Sequence, residues 1–260
     1  MSWFKNTLSN LVSGGVIVIL GLCFPVIGAS AAERVTYDRA LITKLPSTND
    51  EVGIAFLKTA NNFPDFGTIV EDTDAYRNLN PLAQQDYKSK MVNKLQNSFM
   101  TFSPKKSDLI IRVKVNVLFK KLANGEGIIQ LKTFPDDPVY FPFYFAKYPI
   151  ALIVKDMELF RELHLDKADT DIVYSRLSLS GDATLLLQLY VLAADDTKTI
   201  KLDNIPQYPL LAEIGYIGLL NSQAEQIWAW RNGRLGGKKI TGSDRGSLVD
   251  LVPADRAIGK

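Results

Sequence analysis

His164 is the only histidine in the chain, so any serine-histidine-carboxylate relay would have to run through it. It stands among Glu162, Asp166, Asp169 and Asp171, and no serine occupies a G-x-S-x-G elbow. One histidine beside a single cysteine, Cys23, cannot assemble the three or four nitrogen and sulfur ligands of a zinc site. The plainer reading of His164 is a surface group near a helix end, where a cation is favoured. No metal and no cofactor is expected.

The carboxylates offer two patterns. Asp136 and Asp137, framed by Pro135 and Pro138 beside aromatic residues, are the pair to consider for acid and base in glycosidic cleavage. Such a proline-framed pair is also an ordinary turn. Asp166-Lys167-Ala168-Asp169-Thr170-Asp171 has part of the acidic pattern of a calcium loop, without its central glycine and closing glutamate. It reads as a solvated loop that caps the next strand.

The most unusual stretch runs from Tyr140 to Tyr148 and carries six aromatics in nine residues. In a strand, Tyr140, Pro142 and Tyr144 share one side, and Phe141, Phe143 and Phe145 share the other. Pro142 has no N–H for a ladder, which puts this strand at an edge or a bulge. Tyr140, Tyr144 and Tyr148 are the expected contact surface, because tyrosine joins a wide apolar ring to a polar tip. An edge so lined suits a partner strand, a glycan or a lipid headgroup. Trp228 and Trp230 share a face of a later strand and either bury against a sheet or line a groove. Beyond them Arg231, Arg234, Lys238 and Lys239 open a glycine-rich basic stretch without the order of a phosphate loop.

These residues need elements to position them. Asn49 or Asp50 caps a helix with Val52, Phe56 and Leu57 as its apolar face, ending before Pro64. Asn80-Pro81 opens a longer one, with Leu82, Tyr87, Met91, Leu95, Phe99 and Phe102 at helical spacing. Ile111 to Phe119 then alternates apolar and polar, Asn124-Gly125-Glu126-Gly127 turns, and Ile129 to Thr133 returns. Strands are expected over Val139–Phe145, Ile150–Val154, Ile172–Ser180, Ala183–Ala193 and Thr199–Leu202, and a short helix over Asp156–Leu165. Ala212–Leu220 and Gln226–Trp230 read as a closing hairpin, with a helix as the alternative. The pattern predicts an α+β fold, two N-terminal helices packed on a largely antiparallel sheet.

Lys5 precedes an apolar run, Gly14 to Phe24, then Pro25 and the small residues Gly28 to Ala32. A charged start, an apolar centre and an Ala29-Ser30-Ala31 site are the parts of a secretory signal peptide. Residues 1–32 are therefore expected to be removed after Ala31 or Ala32, with an uncleaved N-terminal anchor as the alternative. Cys23 leaves with them, which excludes thiol chemistry from the mature chain. Residues 33–230 form one domain of charge −3, and 231–260 a flexible tail of charge +4. The overall +2 argues for no nucleic-acid partner, and no membrane span is expected in the mature chain.

The residues point to an exported, periplasmic or secreted envelope domain that binds or scaffolds a partner, most readily an envelope protein. The basic tail would add contact with anionic lipid or a cell-wall surface. The alternatives are a carboxylate-based hydrolase of envelope polymers and a carrier of lipid or small molecules.

Overall fold

The computed structural model describes residues 39–134, 138–177 and 181–232. Within them the fold is mixed α+β, a nine-stranded, mostly antiparallel sheet with helices before and within it. Five helices come first: α1 (Arg39–Thr43), α2 (Asn49–Thr59), α3 (Phe66–Glu71), α4 (Asp74–Arg77) and α5 (Pro81–Thr101). The strands are β1 (Asp108–Lys121), β2 (Gly127–Leu131), β3 (Tyr140–Phe145), β4 (Tyr148–Val154) and β5 (Glu162–Leu165), followed after a sixth helix, α6 (Lys167–Arg176), by β6 (Asp182–Ala194), β7 (Ile200–Leu202), β8 (Ile205–Leu220) and β9 (Gln226–Arg231).

Local chemistry sets the helix starts. Thr48 and Glu51 form a capping box: the Glu51 N–H donates to Thr48 Oγ1 at 3.3 Å, and the Thr48 N–H donates to Glu51 Oε2 at 2.8 Å. Asn80 Oδ1 accepts the Ala83 N–H at 2.9 Å, and Pro81 occupies the first turn. The α2 helix is apolar nearly all round because it lies inside the molecule. Val52, Ala55, Phe56 and Leu57 are fully buried, and the helix packs on β3, β4, β6 and α5.

The sheet runs β3-β4-β8-β6-β1-β2-β5, with β7 and β9 also paired to β8. Only β4 and β8 are parallel. Bulges at Gln188/Leu189 and Val191/Ala193 bend the central β6–β8 pair. One face carries the main core beneath α2, α3, α5 and α6. Two smaller clusters cover part of the other. There α1 lays Leu41 and Ile42 over Ile110, Leu186 and Tyr216, and β7 lays Ile200 and Leu202 over Ala151 and Ile153. Cover on both faces explains why Leu185, Leu186 and Leu187 run consecutively and are all fully buried.

Several expectations change. The helices before the sheet number five rather than two. Asp156–Leu165 is a 3-10 turn (Met157–Phe160) followed by β5, since Leu163 and Leu165 point inward as alternate strand residues. Ile172 onward is helical rather than extended: Asp166 Oδ1 caps α6 by accepting the Asp169 N–H at 2.8 Å. The acidic stretch from Asp166 to Asp171 is thus a helix start, with Thr170 and Val173 buried one turn apart. The closing hairpin forms as β8 and β9 rather than a helix. Among the described residues no helix is long and apolar enough to cross a membrane.

Candidate functional site

The aromatic strand β3 lies at one end of the sheet, where Pro142 is tolerated. Its register fixes which backbone groups face out. The Val154 N–H donates to Val139 O, so Phe141, Phe143 and Phe145 exchange ladder bonds with β4, and Tyr140, Pro142 and Tyr144 turn theirs away. Pro142 has no N–H to offer, and the Tyr144 N–H donates to Asn49 Oδ1 at 3.3 Å. Two of the three outward positions of this edge thus offer no free N–H to an added strand, a partial guard against strand addition.

The three tyrosines do not form one surface. Tyr140 lies against the β7 cluster and its hydroxyl donates to Asp203. Tyr148 falls on the opposite face, packed into the main core with ring centroids 5.9 Å from Phe56 and 5.7 Å from Tyr208. Only Tyr144 is largely open, at 55% exposure. Trp228 and Trp230 face the main core beside Phe160, whose ring lies 5.0 Å from that of Trp230. They are packing residues at the rim of the core. Arg231 ends β9 with its guanidinium 5.3 Å from the Tyr216 ring. Arg234, Lys238, Lys239, Asp136 and Asp137 lie outside the described residues, as does the expected signal segment 1–32 with Cys23. His164 is exposed on β5, opposite Ile128.

The concave region that does form runs along the seam of α2 and α5. A cleft of about 380 Å³ is lined by Thr48, Asp50 and Glu51 of the α2 start, Lys94 and Ser98 of α5, and Asp108 at the start of β1, over Ile54 and Leu95. A second recess of about 190 Å³ lies on the other side of Asp50 and Leu95, where Tyr144 meets Tyr87, Met91 and Thr73. Asp50 and Leu95 line both.

Each carboxylate of the cleft has a partner. Asp50 pairs with Lys94 at 3.8 Å, and Glu51 is spent on the helix cap. Asp108 accepts from Lys44 Nζ at 2.5 Å and from Gln188 Nε2 at 2.6 Å. Burial pushes the Asp108 carboxyl up, but the Lys44 and Gln188 bonds outweigh it and hold the group below its ordinary value. Paired acids beside hydroxyls and an apolar floor are equipped to hold a ligand. The raised carboxyl among the described residues is Glu213, on the opposite sheet face across from Tyr190. Burial lifts it, Lys155 pulls it back and Asp156 adds to the rise. Among the described residues no three acidic, histidine or cysteine side chains gather to hold a metal ion.

Sequence reasoning singled out Tyr144, which proves exposed beside a recess, but saw Asp50 only as a helix cap and passed over Lys94 and Asp108. No local signal marks them, because three distant segments meet only in the folded chain. Searches against protein-family models, curated proteins and solved structures returned no match to this chain.

Proposed function

We propose that the chain is an exported, non-enzymatic domain that binds or scaffolds a partner at the bacterial envelope, with the α2–α5 seam and Tyr144 as its contact region. The observation that carries this reading is Tyr144 itself. Its N–H is taken up by Asn49, and its exposed side chain lines a recess that shares Asp50 and Leu95 with the larger cleft. A rigid, exposed tyrosine beside a polar-rimmed concavity is the kind of anchor that interfaces use. The signal-like sequence of residues 1–32 supports the export, and the basic stretch after Arg231 supports a second contact with an anionic lipid or wall surface.

The test is a mild cross-linking pull-down from the native envelope with three forms of the protein: unaltered, Tyr144→Ala, and Tyr174→Ala as a control at another exposed tyrosine. A protein captured by the unaltered and Tyr174→Ala forms but lost with Tyr144→Ala supports the reading. Equal capture by all three removes Tyr144 from the interface. Recovery of glycan or lipid instead of protein turns the assignment to the hydrolase or carrier alternatives.

A further inference from the structure

The two ends of the seven-strand path are treated differently. At β3 two of the three outward positions offer no free N–H, Pro142 because it has none and Tyr144 because Asn49 takes it up. At β5 no comparable guard exists among the described residues. The Leu131 N–H donates to Arg161 O, which sets Leu163 and Leu165 as the residues that exchange ladder bonds with β2. Glu162 and His164 therefore direct both N–H and C=O away from the sheet. Among the described residues no other strand pairs with that edge, and both side chains are exposed on the outer face. An open edge with unpaired backbone groups is a template for another strand.

The sequence of this edge is complementary to itself. Two copies of β5 set antiparallel about Leu163 bring Glu162 of one opposite His164 of the other, twice. In that register every outward N–H and C=O of the two residues finds a partner, because Glu162 and His164 have the parity of a hydrogen-bonded pair. The side chains then meet as carboxylate and imidazole across the strands, an acceptor facing a donor. Gln130 Nε2 already donates to Glu162 Oε1 at 2.5 Å and holds that carboxylate on the outer face. The neighbouring row, Lys120–Ile128–His164, leaves no acidic group opposite His164 within its own chain to compete.

We infer that the β5 edge is a self-association surface on which a second copy of this chain pairs antiparallel, Glu162 against His164, joining the two sheets into one. The occupant is a second copy because the charge pattern matches its own reverse. Four residues per chain make a small contact, so the dimer is weak, dissociating in the micromolar range or above. This inference is independent of the α2–α5 seam and stands or falls without it.

The test is sedimentation velocity on the protein expressed from its full sequence, from about 10 to about 500 µM, with variants of opposite expected sign. The unaltered protein is expected to move from monomer toward dimer over this range. His164→Lys, which sets a fixed cation against Glu162, is expected to tighten the dimer about tenfold. His164→Glu, which sets carboxylates against each other, is expected to hold it monomeric. Glu162→Lys is expected to weaken it, and an equimolar mixture of Glu162→Lys with His164→Glu is expected to form a mixed dimer tighter than either component forms alone. That rescue separates pairing from a folding defect, since a misfolded variant would not recover on mixing. Monomer at all concentrations overturns the inference, and so does a dimer indifferent to every substitution, which would assign self-association to another surface.

Discussion

The ring of Phe145 lies directly over Gly53, so that a Cβ added to that glycine would fall 2.1 Å from Phe145 Cγ. This contact presses the last residue of β3 onto the middle of the buried helix α2. It sets how closely helix and sheet edge approach, and with them the recess beside Tyr144. Replacing Gly53 by Ala should cost about 1–3 kcal/mol through overpacking, because neither the ring nor the helix backbone can retreat in a close-packed core. Chemical denaturation of the two proteins measures it. A paired Gly53→Ala, Phe145→Leu variant should recover part of the loss, and no recovery would mean that the contact is not the cause.

The capping box at Thr48 makes a second prediction. Thr48→Ala removes the acceptor for the Glu51 N–H at the start of α2 and should cost about 1 kcal/mol. In a domain of this size that lowers Tm by about 2–4 °C. Thr48→Ser keeps the hydroxyl and should fall close to the unaltered protein in the same thermal melt.

Glu213 gives a pH dependence with a definite sign. Its folded-state value is raised by burial, so the unfolded chain ionises first as pH climbs. The group then lowers stability progressively from the ordinary glutamate range up to the raised folded value, and the loss stays constant above that. Glu213→Gln should match the unaltered protein in acid and exceed it in stability at neutral pH. Melting temperatures of both forms across pH check the crossover, and a gain that is largest in acid would contradict the assignment.

The guard on β3 can be removed. Asn49→Ala frees the Tyr144 N–H, and Pro142→Thr restores a donor on the same edge. The double variant should self-associate at concentrations where the unaltered protein does not associate through β3, as seen by light scattering. A double variant that scatters no more than the unaltered protein would show that this edge is closed by something other than these two residues.

What the sequence alone settled was local. The alternation of Ile111 to Phe119, the Asn80-Pro81 helix start and Pro142 at a sheet edge are each written in neighbouring residues, where side-chain period and backbone donors leave little choice. The class followed from these, a mixed α+β fold with a mainly antiparallel sheet. Where a short segment fits two periods, local pattern failed. Ile172 onward alternates on paper, yet the cap at Asp166 and the burial of Thr170 and Val173 made it a helix, and Leu163 and Leu165 made a strand of what read as the end of one. The tertiary structure alone decided the sites. Tyr148 left its companions because the turn between β3 and β4 carries it, opposite Phe145, to the core side. Asp50, Lys94 and Asp108 became neighbours because α2, α5 and β1 converge, and such convergence depends on packing among residues far apart in the chain.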